Sequence, residues 1–420
     1  MTSDTVTSNA VTGILSRLDL RPVRPRDKHE PHRVASTLEL FFDLVFVVAV
    51  SLAAQTLHHL ETEQHVAVGV GAYLMVFFAI WWAWMNFTWF ATAFDNDDWL
   101  YRVTTIAQMA GVLVLAAGVE AAMVHGDFTA VTWGYVIMRL AMVSQWLRAA
   151  VNSPEYRRTA LRYAAGITLV QAAWLLRLLL PEEAGVISFV VLAVAEVCVP
   201  IWAEHRQVTP FHNHHIAERF GLFTLVVLGE GLLGSANAII DSLKDTEHIV
   251  PLVALAVCSL LIVAAMWWLY FATPLHSRFG TLRQSLTLGY AHYVIFAAAA
   301  AMSAGIEVLV DFYGRETELP AVAAGATLTV PVAVFVLAVW LVAVRPAATA
   351  VANTIIPLAG VAIAVSALLP TAEIFTAALL VVIVATLVVT GRDGTSRTEA
   401  GSTGTDSTAA DSTGAAITKE

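Results

Sequence analysis

Ten side chains with ionisable or strongly polar chemistry stand inside stretches that are otherwise apolar. They are Glu39, Asp43, Glu120, Arg139, Glu196, Glu218, Arg219, Glu230, Asn237 and His292. A charge at the centre of a bilayer costs about 2.5–3.5 kcal/mol on insertion scales, so each of these residues needs a structural or functional reason. Glu39 and Asp43 are four residues apart, which puts both on one face of a helix, flanked by Ser36 and Phe46. Two carboxylates so placed can bind a cation or pass a proton along a polar path. Glu39 also suits a helix start, where an acid complements the dipole. Asp43, one turn deeper, is the stronger candidate for function.

A second polar stretch reads HHIAERFGLFTLVVLGEGLLGSANAI. Glu218 and Arg219 fall at its start, expected at the cytoplasmic interface. Glu230 lies about three turns deeper between Gly229 and Gly231, and shares a face with Gly234 and Asn237. Small residues let a neighbouring backbone approach, and a buried carboxylate finds a partner there, as a functional group or as a lock between helices. Arg139 is the most costly residue in the chain and must meet an acid; Asp43, Glu120, Glu196 and Glu230 are the candidates, and an architectural pair is the expectation. Glu120 and Glu196 read either way. His292 can relay protons near neutral pH, or it is a satisfied packing residue.

His205, His212, His214 and His215 precede the same stretch. His214 and Glu218 have a spacing that can hold a metal, but no Cys accompanies them, so contacts at a helix start are expected and no metal. Cys198 and Cys258 lie in apolar blocks and read as small buried residues without a disulfide. No Walker loop, dinucleotide fingerprint, Gly-x-Ser-x-Gly or His-Glu-x-x-His occurs. The expectation is a protein that is not an enzyme and carries no cofactor.

These side chains must be positioned by membrane helices. Of 420 residues, 58% are hydrophobic and only 13% charged, with mean hydropathy +0.71. A soluble domain carries roughly 25% charged residues. The apolar residues come in blocks of about 20, the length that crosses a hydrocarbon core. Backbone groups in lipid must be satisfied within the segment, so the blocks are read as helices; the alternation of a barrel strand is absent.

The reading is all-α: a polytopic transmembrane helical bundle of about twelve helices, at 37–57, 67–90, 101–123, 130–147, 161–179, 185–203, 216–239, 249–271, 285–308, 321–343, 348–369 and 372–390. Residues 1–35 form a basic cytoplasmic segment without the apolar core of a signal peptide. Residues 391–420, rich in Gly, Ser, Thr and Asp, are expected to be disordered. With the N-terminus inside, nineteen Lys and Arg fall on the cytoplasmic side and three (Arg177, Lys244, Arg315) outside; Arg139 is the last of the 23. That asymmetry predicts a multi-pass protein of the plasma membrane with both termini cytoplasmic. The lipid bilayer is then the main partner, and with no basic stripe nucleic acid is not. Trp81, Trp82, Trp84, Trp89, Trp267 and Trp268 are assigned in part to interfacial belts, and Asp95 to Asp98 to a solvated loop.

A repeat is suggested at an offset of about 187 residues. Thr37-Leu38 with Asp43 matches Thr224-Leu225 with Glu230, Trp81-Trp82 matches Trp267-Trp268, and Gly118-Val119-Glu120 matches Gly305-Ile306-Glu307. Six helices per unit keep their orientation, so residues 36–205 and 206–390 are expected to be parallel halves. Asp43 and Glu230 would then be equivalent and face each other across the axis.

The stretches Thr37-Leu38-Glu39-Leu40-Phe41-Phe42-Asp43-Leu44-Val45-Phe46-Val47 and Glu218-Arg219-Phe220-Gly221-Leu222-Phe223, continuing to Leu228-Gly229-Glu230, resemble the bacterial low temperature requirement protein A family. The His212 to His215 stretch fits as well, and the helix pattern extends the likeness over residues 33–390. The resemblance implies a role in growth in the cold and no assigned biochemical activity. Phe41-Phe42-Asp43 is also similar to a Phe-Ser-Asp signature in potassium channels built from six-helix repeats, with Phe42 in place of Ser. The expected function is transport of a small cation, protons or a small solute, with Asp43 and Glu230 binding or relaying it and Arg139 balancing charge. The alternative is a non-transporting membrane protein supporting envelope adaptation to cold, its buried charges serving as helix locks.

Overall fold

The computed structural model describes residues 21–27, 34–244 and 249–402. Twelve helices account for nearly all of them. They are α1 (Thr37–Thr62), α2 (Val66–Ala93), α3 (Trp99–His125), α4 (Thr129–Asn152), α5 (Arg157–Arg177), α6 (Gly185–Glu204), α7 (Asn213–Lys244), α8 (Ile249–Phe271), α9 (Leu282–Gly314), α10 (Ala321–Val344), α11 (Ala350–Leu368) and α12 (Ala372–Ser402). Nine of these described helices are long and apolar enough to cross a membrane. The three outside that set, α4, α5 and α7, include the carriers of Arg139 and Arg219, and the charges that lower their hydropathy are partly turned inward. The chain is a multi-pass helical membrane protein.

The helix number matches the sequence pattern, while several ends differ. α1 runs on to Thr62 and α9 to Gly314, so His58, Glu61 and Asp311 are helical. α3 is interrupted at Gly118, where the chain departs from the regular ladder before Val119–His125. α12 extends to Ser402, into the stretch expected to be disordered; adding residues to an existing helix needs no new nucleus. The remainder of that tail, and the basic segment before Arg21, lie outside the described residues. Two short extended pieces, Arg24–Pro25 and Phe94–Asp95, pair antiparallel and strap the N-terminal segment to the end of α2.

One continuous apolar core runs through both halves of the chain. α2 is its axis, buried along most of its length. In the first half α1 packs on α3 and α3 on α4; in the second α7 packs on α9 and α9 on α10. Gly118 and Gly305, 187 positions apart, sit where these last pairs touch. A Cβ at Gly118 would collide with Ala130 and the Val131 amide, and one at Gly305 with the Thr327 carbonyl.

Candidate functional site

Side-chain contacts fix the relative direction of three helices. His215 at the start of α7 meets Glu39 at the start of α1, and Asn213 donates to the Phe279 carbonyl just ahead of α9. At the other end His58 of α1 meets Asp311 of α9, and Asn237 of α7 donates to Glu307 of α9. α1, α7 and α9 are therefore parallel, with one polar group at each end. The rise from Glu39 to His58 is about 28 Å, at ~1.5 Å per residue.

The first polar group is buried. Ser36 caps α1 in a reciprocal capping box with Glu39, whose Oε2 accepts the Ser36 N–H at 2.7 Å. This is the helix-start role expected of Glu39, and a second role accompanies it. Glu39 Oε1 lies 3.2 Å from His215 Nε2 and 3.3 Å from Arg219 Nη1. The latter contact is an ion pair without hydrogen-bond geometry. Arg219 then reaches one turn deeper and donates to both oxygens of Asp43, Nη2 to Oδ1 at 2.6 Å and Nε to Oδ2 at 3.0 Å. Trp84 donates its indole N–H to Asp43 Oδ1 at 2.7 Å, and His215 Nδ1 pairs with Thr92 Oγ1 at 2.8 Å. Thr92, His215, Glu39, Arg219, Asp43 and Trp84 thus form one chain of contacts across α1, α2 and α7.

Arg219, near the start of α7 as expected, is fully buried within the protein, because the pair with Asp43 holds it inside. One expectation is corrected here: Asp43 does not face Glu230. A carboxylate finds a guanidinium where another carboxylate would repel it, and Glu230, eleven residues beyond Arg219 on α7, is only partly buried. Aromatic rings close the deep side of the cluster. Trp84 lies 4.6 Å from Phe223 and 5.7 Å from Phe296 between centroids, and Phe42 lies 3.8 Å from Phe87 and 4.9 Å from Phe46.

The second polar group joins the far ends of α1, α7 and α9. His58 Nε2 is 2.7 Å from Asp311 Oδ2 and its Nδ1 3.5 Å from Glu307 Oε2. Asn237 donates to Glu307 Oε1 at 3.5 Å. His58, Glu307 and Asp311 were not among the sequence candidates: the polar run HHLETE reads as a loop, and α9 was expected to end at 308. Glu61 was missed for the same reason; it is buried at 4% exposure, and its Oε2 has no hydrogen-bond partner.

Arg139 finds Glu196. Its Nη2 is 3.1 Å from Glu196 Oε2 and also donates to Tyr135, while Trp82 and Tyr135 donate to Glu196 at 2.9 and 3.1 Å. Glu204, on the same helix as Glu196, accepts from Trp89, Tyr163 and Thr209 at 2.7, 2.7 and 2.8 Å. Trp82, Trp84 and Trp89 are thus buried donors to acids on other helices, not members of an interfacial belt; a buried indole needs a partner for its N–H. Trp267 and Trp268 are the exposed pair.

The remaining candidates disperse. Glu120 is exposed, since it opens the short turn of helix after the Gly118 break and points away from the seam. His292 is buried, with Nε2 2.9 Å from the Tyr270 hydroxyl and Nδ1 2.7 Å from the Leu288 carbonyl, so both ring nitrogens are engaged. Glu218 Oε2 accepts the Ala35 N–H at 3.3 Å. Asp98 is buried, contrary to a solvated loop: it caps α3 through Tyr101 and receives Arg148 at 2.6 Å. Cys198 is exposed, against the buried position expected, while Cys258 is buried; both are free. Among the described residues no group of three or more His, Cys, Asp or Glu is placed to hold a metal ion.

A cavity of about 590 Å³ opens beside the start of α7, lined by His212, Asn213, His214, His276 and Thr281. His214 and His276 stack at 4.0 Å between ring centroids. The His215 N–H donates to His212 Nδ1 at 3.3 Å, which ties the cavity wall to the buried cluster.

Comparison with known proteins gives two findings. The family model described as bacterial low temperature requirement A protein (LtrA) matches residues 34–389. An uncharacterized protein of Rhizobium meliloti (strain 1021) is 28% identical over 257 residues, covering 59% of this chain and 60% of the relative. The chain spans about three fifths of the length of that curated relative. The matched range contains every residue of both polar groups.

Proposed function

The chain belongs to the bacterial low temperature requirement A protein (LtrA) family, and from that premise we propose that it moves a small cation or proton across a cell membrane along the seam of α1, α7 and α9. The observation that carries this reading is the sharing of Arg219 between Glu39 and Asp43. A guanidinium flanked by carboxylates at two depths can change partner when α1 shifts along α7. Such an exchange alters which carboxylate is neutralised. A purely architectural pair would need one acid, as Arg139 has in Glu196.

In this reading the Glu39 end faces the cytoplasm, as the distribution of Lys and Arg supports, and both termini share that side in the plasma membrane. The His58, Glu307 and Asp311 group is the opposite mouth. The aromatic layer of Trp84, Phe223 and Phe296 separates the two, so the form described is closed. The same reading includes two six-helix units, supported by the recurring neighbours and by Gly118 and Gly305. Their polar residues have diverged, because Asp43 and Glu230 occupy different surroundings.

The test is flux into proteoliposomes holding the purified full chain, under an imposed membrane potential. Asp43→Asn should abolish flux in inserted protein that is less stable than the wild type, because Arg219 then keeps only Glu39 as an acid partner. Undiminished flux in that variant overturns the assignment. The second reading, an envelope protein whose charges are only locks, is favoured by the three hydrogen bonds that the Asp43 oxygens accept. It predicts no flux from the wild-type protein.

A further inference from the structure

We infer that the species moved is the proton, and that it reaches the buried cluster from the histidine-lined cavity through His215; this inference rests on the transport reading above. The first argument is lone-pair occupancy. Asp43 Oδ1 already accepts from Trp84 and Arg219, and Oδ2 accepts from Arg219. Glu39 Oε2 accepts the Ser36 N–H. A carboxylate has about four lone-pair sites, so Asp43 has little capacity left for coordinating a metal cation. Protonation asks for only one oxygen.

The second argument is the kind of group that continues the path. The link outward from Glu39 is an imidazole, whose two ring nitrogens can each hold or release a proton. His215 Nε2 stands 3.2 Å from Glu39 Oε1 and Nδ1 2.8 Å from Thr92 Oγ1. The groups form a line, as proton transfer requires, and not a cage. A proton gained by the His215 ring leaves from Nε2 to the Glu39 carboxylate, whose Oε1 and Oε2 lie at 3.2 and 3.4 Å; the ring returns to neutral and the carboxylate becomes a carboxylic acid. Protonated Glu39 then releases its hold on Arg219, which still has Asp43.

The third argument is continuity with water. The cavity beside α7 is large enough for many water molecules, and His212, at its wall, accepts the backbone N–H of His215, which holds that residue next to the cavity while its ring faces Thr92 and Glu39. His214 and His276, stacked at the same wall, are bases for collecting protons there. The charged or titratable groups facing His215 and Arg219 are Glu39 and Asp43 from α1, Tyr101 from α3, and His212 from the approach to α7, while α2 presents the Thr92 hydroxyl.

The experiment uses the purified full chain in proteoliposomes, an enclosed pH dye, and a potassium diffusion potential set with valinomycin; sodium uptake is measured in parallel, and rubidium uptake in vesicles without valinomycin, which itself carries rubidium. Acidification should follow the potential in the wild type. It should fall about a hundredfold in His215→Gln, the scale of a positioned proton-transfer group. Because His215 is buried, the double variant His214→Asn with His276→Asn, at the cavity wall, serves as the second measurement and should slow acidification several-fold. Wild-type rates in a folded His215→Gln, or in the wall variant, overturn the inference. Sodium or rubidium uptake without acidification also overturns it while leaving the transport reading intact. Absence of all three fluxes overturns both.

Discussion

Arg219 of α7 holds Asp43 of α1 by both carboxylate oxygens, at 2.6 and 3.0 Å, and neither side chain reaches the surface. The two residues are 176 positions apart, so this contact ties the first half of the chain to the second. A buried pair of this kind is costly to break from one side, because the survivor is an uncompensated charge. Arg219→Met should therefore destabilise the protein by about 3–5 kcal/mol. The double variant Arg219→Met with Asp43→Leu should recover most of that loss. Denaturant unfolding in micelles measures both. A double variant as unstable as the single one would show that the pair contributes something other than charge compensation.

The pair of Arg139 and Glu196 offers the contrast. It sits outside the α1, α7 and α9 seam, on α4 and α6, with Tyr135 and Trp82 as further donors. Arg139→Met with Glu196→Leu should fold with unchanged or higher stability, since apolar replacement of a buried pair is often neutral or favourable by about 1–4 kcal/mol. It should also retain full flux. Loss of flux in a stable double variant would move this pair into the transport path.

Trp84 is expected to act on Asp43 by one hydrogen bond and on the aromatic layer by its ring. Trp84→Phe keeps the ring and removes the N–H to Asp43 Oδ1. A hydrogen bond to a charged group contributes about 1.5–3 kcal/mol, so stability should drop by that order. The layer should stay closed, with no leak of protons at zero potential. A leak in Trp84→Phe would assign the closure to the indole N–H; a leak only in Trp84→Ala would assign it to ring volume.

Gly305 touches the backbone of α10, and Gly118 that of α4. Gly305→Val should cost at least the ~1–3 kcal/mol of an overpacked core site, read as reduced yield of folded protein. Gly126, which has open space around it but a positive φ of 72°, should tolerate Asn. Normal yield from Gly305→Val would mean that α9 and α10 separate at little cost.

The sequence told most where lipid constrains it most. Helix number and the helical class follow from apolar blocks that cannot leave backbone groups unpaired. The cost of an intramembrane charge singles out Asp43 and Arg139, and Glu196 is among the partners expected for Arg139, whereas Arg219 reads as interfacial. Pairings across 176 residues were not legible, because spacing on one helix says nothing of which face a distant helix presents. So Asp43 was matched to Glu230 through the suggested repeat, when its partner was Arg219. The far polar group is lost at the helix ends, where His58, Glu61 and Asp311 look like loop residues until the packing of α1 on α9 shows both helices running on. The tryptophans looked interfacial by type, and only the fold shows three of them bonded to buried acids.

The central claim is that the chain linking His215, Glu39, Arg219 and Asp43 carries charge and does not merely fasten α1 to α7. Glu39→Gln tests it most directly, because the amide keeps a hydrogen-bond acceptor for the Ser36 N–H and leaves the Arg219 and Asp43 pair in place. In a reconstituted flux assay this variant should fold as the wild type does and conduct nothing. Flux at the wild-type rate in Glu39→Gln would contradict the account.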